Sequence, residues 1–193
     1  MPSLKLEVLQ AFAALNEAIA ASGIEHAYLG AFAAIAWGRL RSTSDLDIVI
    51  GFVPEDWERL KAELTRRGGR LGKGTGPTDP SDVLPDIMAC WIGSAPAIRI
   101  DIFLAKTDFE REALATAKDA TVFDTPIRVV KAEASVIYKL LASRAKDILD
   151  VEAIFEARRE AGDMLDWGFL ERWAAYWEIA DRLAPYRTRF APQ

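Results

Sequence analysis

A chain of 193 residues, 51% hydrophobic and 27% charged with six tryptophans, has the apolar content of a folded protein and excludes an intrinsically disordered one. Its 29 acidic and 24 basic residues leave a net charge of -5, which argues against a broad basic surface that coats nucleic acid and leaves room only for a local basic groove. One cysteine, Cys90, and one histidine, His26, exclude an intramolecular disulfide and argue against zinc, so any metal is expected to be a hard ion held by carboxylates.

The opening MPSLKLEVLQ lacks a basic stretch followed by an apolar core, and no run approaches the roughly 18 apolar residues of a membrane span, so a cytoplasmic protein is expected. Residues 4–22 carry Leu6, Leu9, Phe12, Leu15 and Ile19 at helical spacing, and Gly23 ends the run. HAYLG reads as a short buried strand and AFAAIAWG as the helix that follows it, closing at Gly38. LDIVIGF is the next strand, and Pro54 opens a helix to about residue 67. GGRLGKGTGPTDPSD, with five glycines and two prolines, is a loop with room for one short strand. DIMACWIG and AIRIDIFLA form an antiparallel pair, residues 109–117 a helix, and TVFDTPIRVV a hairpin around residues 124–126. Everything beyond is helical. The expected class is α/β (α+β): a lobe of residues 1–131 with a mixed sheet flanked by helices, and a helical portion of residues 132–193 packed on it.

Strand alternation in SDLDIVI puts Asp45, Asp47 and Val49 on one face and Leu46, Ile48 and Ile50 on the other. Two carboxylates side by side repel unless a cation neutralises them, and magnesium, which prefers oxygen ligands, is the natural one. Taken alone, such a pair is more often a solvated strand start. AIRIDIFLA strengthens it: Ile98, Ile100 and Ile102 alternate with Arg99, Asp101 and Phe103, so a third carboxylate again lies opposite the core. Three carboxylates on two neighbouring strands can chelate two metal ions about 4 Å apart and orient an in-line attack on phosphorus. An ion pair of Asp101 with Arg99, or a cap on a strand end, is the competing reading.

Upstream, Gly30 stands where strand becomes helix, and a helix N-terminus reached through glycine offers free N–H groups to a phosphate. A tight turn without ligand is equally common there. Arg39 and Arg41 form a basic cluster just before the acidic pair.

The run YLGAFAAIAWGRLRSTSDLDIVI resembles the nucleotidyltransferase signature of the DNA polymerase β superfamily, and Arg41, Thr43, Asp45, Leu46 and Asp47 resemble the form found in its AbiEii-type, toxin-like branch. KAEASVIYKLLASRAKDILDVEAI is similar to the helical motif downstream in that branch through Lys139, Arg144, Lys146, Asp147 and Asp150. The resemblance spans most of residues 28–155. It implies the nucleotidyltransferase fold, Asp45, Asp47 and Asp101 as catalytic metal ligands for two Mg2+ ions, and Asp101 as the group favouring deprotonation of the acceptor. It implies nucleotide contacts at Gly30, Ala31, Arg41, Thr43 and Lys139. The activity implied is transfer of a nucleoside monophosphate from an NTP to a hydroxyl on RNA (a tRNA end in the toxins), on protein or on a small molecule such as an antibiotic, with a cognate antitoxin as partner. Ala31 departs from the usual Gly or Ser of the turn, keeping the N–H but offering no hydroxyl. A catalytically silent nucleotide- or RNA-binding module is therefore the alternative.

Read without the resemblance, Lys139 on its apolar helix is a snorkelling lysine, and Asp147 and Asp150 are structural partners of a helix N-terminus or of Arg144 and Lys146. GGRLGKG is no phosphate loop of the GxxxxGK[ST] type, since Arg67 and Gly74 occupy its first and last positions. The loop arginines Arg66, Arg67 and Arg70, with Lys73, are a flap over the acceptor or a solvated linker. Trp167, Leu170, Trp173 and Trp177 pack a helix onto the domain, or form a base-stacking platform or partner interface. His26 reads as structural.

Overall fold

The computed structural model describes residues 5–51, 53–72, 87–94 and 96–191. Helix α1 (Leu6–Ser22) stops where Gly23 turns left-handed, φ 71°, and donates its N–H to Ile19 O. Strand β1 (His26–Tyr28) leads at once into α2 (Gly30–Trp37), and β2 (Asp45–Ile50) into α3 (Pro54–Arg66), with proline in the first turn as expected. Next come β3 (Arg70–Leu71), β4 (Ile87–Ile92), β5 (Ile98–Leu104) and α4 (Asp108–Ala115). The start of α4 is fixed by a capping box: Thr107 accepts from Glu110 N while the Glu110 carboxylate accepts from Thr107 N. Strands β6 (Lys118–Val122) and β7 (Thr125–Val129) make the hairpin, followed by α5 (Ala132–Ala142), α6 (Ala145–Glu160), α7 (Trp167–Tyr176) and α8 (Ala180–Phe190).

The hairpin turns one residue earlier than the Asp-Thr-Pro stretch suggests. Phe123 and Asp124 both take positive φ, 50° and 59°, so a two-residue loop joins paired Val122 and Thr125. Pro126 then lies inside β7 opposite Thr121. The short strand anticipated in the glycine-rich stretch is β3, paired antiparallel with β4; Lys73 and the remainder of that loop lie outside the described residues.

The seven strands form one mixed sheet in the order β3-β4-β5-β2-β1-β7-β6. Pairs β2–β5 and β1–β7 are parallel, and the other four are antiparallel. Alternation along the central strands sorts side chains into two apolar layers. Leu46, Ile48 and Ile50 of β2 join Ile100 and Ile102 of β5 beneath Phe12 and Leu15 of α1 and Leu60 and Leu64 of α3. Val49 faces the other way, into a layer with Phe109 of α4, Ile137 of α5, Ile154 of α6 and Trp173 of α7. Asp45 and Asp47 share the parity of Val49 and so belong to the face covered by the C-terminal helices. No helix among the described residues is long and apolar enough to cross a membrane.

Ile102 is fully buried between β2 and β4. Ile102→Ala should lower unfolding free energy by about 2–5 kcal/mol in urea titrations; a loss under about 1 kcal/mol would contradict a tightly packed layer.

Candidate active site

The parallel register of β2 and β5 sets Asp47 directly opposite Asp101, and Asp45 opposite Arg99. Adjacent strands lie roughly 4.8 Å apart, so residues of matching parity bring their carboxylates to one patch of the sheet. Thr43 fixes the first of them: its hydroxyl donates to Asp45 Oδ1 at 2.7 Å. Asp101 receives Arg99 Nε at 2.7 Å, the ion pair that sequence alone left as the competing reading. Because Arg99 is 54% exposed, that pair contributes little and Asp101 is released at small cost.

Asp47 sits deepest. Leu29 N donates to its carbonyl at 3.0 Å, tying the β1–α2 junction to β2. Gly30 has φ 60°, and a Cβ built on it would stand 1.9 Å from Asp47 Oδ2. Only glycine permits both that backbone and that approach. Burial, and then the charges of Asp45 and Asp101, push the Asp47 carboxyl up to about 6, against the opposing pull of Lys139 and Arg144. The second residue of the turn, Ala31, is buried in the first turn of α2.

Lys139 does not snorkel. It is 4% exposed, with Nζ 2.8 Å from Asp150 Oδ2 and 3.3 Å from Asp147 Oδ1. Both carboxylates are wholly buried. Asp150 Oδ1 also accepts from Arg39 Nη1 at 2.5 Å and forms an ion pair with Arg41 Nε, 3.2 Å away, and Asp147 accepts from Arg144 Nε at 2.6 Å. Burial opposes ionisation of Asp147, but hydrogen bonding from Arg144 and the charge of Lys139 outweigh it and hold the carboxyl below its ordinary value. Lys146, the other partner considered from sequence, contributes only its carbonyl, which accepts from Arg39 Nη1 at 3.0 Å. Thus Arg39 and Arg41 are turned inward onto a carboxylate. Arg66 and Arg67 are likewise paired with Glu63.

A cavity of about 390 Å³ opens beside Asp47. It is lined by Gly30, Asp47, Lys139 and Arg144 together with Phe103, Phe109, Tyr138 and Trp177. Of the residues expected at the site, Gly30, Asp47 and Lys139 meet here; Asp45, Asp101, Arg41, Thr43 and Ala31 lie outside the lining and join it through strand register, through Asp150 or through the α2 turn. Of this aromatic wall the sequence singles out only Trp177. The signals for the rest were faint: Phe103 shares the face of Asp101, and Tyr138 adjoins Lys139. Trp173 is a core residue and Trp167 stacks on Phe155 at 5.5 Å, so only Trp177 of the tryptophan stripe reaches the cavity.

Among the described residues no three His, Cys, Asp or Glu side chains are disposed to close on a metal ion by themselves. Magnesium needs less, being commonly held by one or two carboxylates with substrate phosphates completing its octahedron. Asp45 and Asp47 on one strand face, with Asp47 strained by its like-charged neighbours, fit that requirement.

No protein-family model and no curated protein matches the chain. Solved structures do. The crystal structure of ANT(2'')-Ia in complex with adenylyl-2''-tobramycin aligns over 95% of this chain and 99% of that one, with 18% identity and a TM-score of 0.57. JHP933 from Helicobacter pylori aligns over 96% and 81%, with 14% identity and a TM-score of 0.52. A protein provisionally described as a nucleotidyltransferase from H. pylori aligns over 93% and 82%, with 11% identity and a TM-score of 0.54. At these identities the likeness is one of fold, and the fold is that of the nucleotidyltransferases.

Two expectations follow from Asp47. Gly30→Ala should cost at least about 2 kcal/mol, combining left-handed strain with the clash on Asp47; an unchanged melting temperature would refute the close approach. In a metal chelator, the folded carboxyl near 6 lies above the ordinary 3.8, so the folded chain holds this proton more tightly than the unfolded one. The stability it contributes is full below about pH 4 and is lost, by up to about 3 kcal/mol, as pH rises through about 6. Asp47→Asn should flatten that decline in melting temperature, and a parallel decline in both proteins would assign it elsewhere.

Proposed function

We propose that the protein is a metal-dependent nucleotidyltransferase that moves a nucleoside monophosphate from an NTP to a hydroxyl acceptor and releases pyrophosphate. The observation that carries this reading is the in-register placement of Asp47 against Asp101 beside a glycine turn into a helix. In this reading residues 1–131 form the catalytic lobe and residues 132–193 the helical portion packed on it.

Asp45 and Asp47 would hold magnesium, two ions once Asp101 joins them; magnesium bound there supplies charge neutralisation of the triphosphate and activation of the acceptor hydroxyl. Thr43 holds the Asp45 carboxylate by its 2.7 Å hydrogen bond. The N–H groups of Gly30 and Ala31 at the start of α2 bind triphosphate oxygens, a role that needs no side-chain hydroxyl. Lys139, held at the cavity by Asp147 and Asp150, faces the phosphate adjoining the nucleoside. Arg41 acts through Asp150, fixing the segment that leads into β2. Asp101, freed from Arg99, accepts the hydrogen bond of the acceptor hydroxyl. The acceptor oxygen forms its bond to the α-phosphorus as the bond to the bridging oxygen of pyrophosphate breaks, and the hydroxyl proton passes to Asp101.

For the acceptor we favour a small polyhydroxylated molecule. Of Arg39, Arg41, Arg66, Arg67 and Arg70, the arginines that could line a groove for nucleic acid, Arg39 and Arg41 are paired with the buried Asp150, while Arg66 and Arg67 make surface pairs with Glu63. The ANT(2'')-Ia structure, similar over its whole length, carries an adenylylated tobramycin. The resemblance of Arg41 to Asp47 and Lys139 to Asp150 to the AbiEii-type motifs supports a second reading, in which the acceptor is a tRNA end and a cognate antitoxin restrains the enzyme.

Four α-labelled NTPs, incubated with magnesium and a cell extract that is then separated into small-molecule, RNA and protein fractions, test all of this. Label should appear in the small-molecule fraction and fall by about 10²–10³-fold or more in Asp47→Asn. Label in RNA would establish the second reading. No transfer with any NTP, together with retained NTP binding, would make the chain a silent binding module.

A further inference from the structure

The sheet face that carries Asp45, Asp47 and Asp101 continues past them onto β4 and β3. Register sets Arg70, Trp91 and Arg99 side by side in one row of that face, and Asp45 closes the row on β2. Met88, Cys90 and Ile92 point the other way, into the layer beneath α1 and α3, whereas Ile87, Ala89 and Trp91 belong to neither apolar layer among the described residues. Ile87 is 48% exposed and Arg99 54%, Arg70 is exposed as well, and Trp91 is half-buried. Of the six tryptophans, five are engaged: Trp37 Nε1 donates to Val130 O and Trp173 Nε1 to Glu112, Trp57 lies under Lys61, Trp167 stacks on Phe155, and Trp177 meets Phe109 edge to face. Trp91 has no ring contact and no side-chain hydrogen bond among the described residues. Arg70 is in no ion pair among them, and Arg99 is paired only with Asp101.

We propose that this exposed row is the acceptor subsite, and that it takes a small polyhydroxylated molecule carrying a phosphate or carboxylate, its ring on Trp91 and its anion between Arg70 and Arg99. This rests on the transferase reading and narrows its acceptor. Continuity with the acidic residues places it. Asp101, assigned to the acceptor hydroxyl, lies outside the cavity lining and is the diagonal neighbour of Trp91 across the β4–β5 pair, roughly 7–8 Å away, a gap that one sugar ring and its substituents bridge. Charge gives the orientation: an anion is repelled by the three aspartates and drawn to the two guanidinium forks, which leaves the hydroxyl end toward Asp101. The indole offers a flat apolar surface to the ring between them. Arg99 joins recognition to reactivity. In the free protein its Nε donates to Asp101 Oδ1 at 2.7 Å, and an acceptor anion gives that guanidinium another oxygen to bond, so the acceptor itself releases Asp101. A neutral sugar offers Arg99 nothing in exchange, and a cationic amino sugar is repelled by both arginines. A nucleic-acid strand would need a longer basic track than two arginines provide.

The test divides the small-molecule filtrate of a cell extract, by ion exchange, into anionic, neutral and cationic pools and offers each, with the retained RNA as a fourth, to the protein with magnesium and α-labelled NTPs. Label should be transferred chiefly in the anionic small-molecule pool, with an apparent KM, read from dilutions of that pool, that rises as added NaCl screens the arginines. Arg70→Gln and Arg99→Gln should each raise that KM by about three- to tenfold, and Arg70→Glu by more, while NTP affinity in equilibrium dialysis and melting temperature hold. Trp91→Leu should raise it without changing its salt dependence. Transfer chiefly to the neutral pool, to the cationic pool or to RNA overturns the inference and leaves the transferase reading intact. So does a KM for the anionic pool that none of the variants changes. If no pool accepts label from any NTP, the transferase reading falls and the inference with it.

Discussion

A lysine ammonium held between two carboxylates from which solvent is excluded ties the helical end of the chain to the strand that carries Asp45 and Asp47. Lys139 from α5 meets Asp147 and Asp150 from α6, and Asp150 in turn receives Arg39 and Arg41 from the segment entering β2. Such a cluster gives little net stability over an apolar one, because desolvating each charge is expensive. Removing one member is different, since it leaves its partner buried and unpaired at a cost of about 3–5 kcal/mol. The cluster therefore acts as a geometric lock. The position of Lys139 relative to Asp47 is set by α6, not by the flexibility of a lysine side chain.

The lock holds a neighbouring tension in place. With Arg144 included, the cluster has four cations, Arg39, Arg41, Lys139 and Arg144, and two carboxylates, Asp147 and Asp150, a surplus of two positive charges. Lys139 and Arg144 pull the Asp47 carboxyl down, yet burial and the nearby Asp45 and Asp101 win, and it rises to about 6. A protein selected for stability alone would relieve this by losing an acid. Instead the main chain makes room for it, with Gly30 surrendering its side chain so that Asp47 Oδ2 can approach. Strain that the surrounding fold preserves, at the mouth of a cavity, marks a place where a cation or a ligand is expected to complete the balance.

The alternation that sorts Leu46, Ile48 and Ile50 from Asp45 and Asp47, and Ile100 and Ile102 from Asp101, is legible in sequence because one face of each strand is buried and period two leaves no choice. What it cannot carry is pairing. Nothing local says that β2 and β5 run parallel, or that Asp47 rather than Asp45 stands opposite Asp101. The same limit explains Lys139. A lysine among valines, isoleucines and leucines on one helix reads as a snorkeller until α6, whose relation to α5 is tertiary, supplies two buried carboxylates. Most of the aromatic wall was hidden for a further reason: Phe103, Phe109 and Tyr138 come from β5, α4 and α5, and each alone looks like core. The hairpin turn differed because Phe123, a bulky residue seldom found at positive φ, forms half of it.

Formal charge proved a poor guide to which surface meets an anion, and the reason bears on the substrate. Two of the arginines that suggest a basic groove in the sequence, Arg39 and Arg41, are spent on the buried Asp150, while Arg66 and Arg67 make surface pairs with Glu63. Lys139 and Arg144 line the cavity together with Asp47, Glu110 and Asp147, and Arg144 remains 61% exposed even while bonded to Asp147. A ligand entering there meets charged side chains and aromatic rings in one cavity. That combination suits a molecule with both a charged and a planar part, as a nucleoside triphosphate has. A nucleic-acid backbone spreads its charge along its length and would need the paired arginines to leave their carboxylates, including a buried one, before they could follow it.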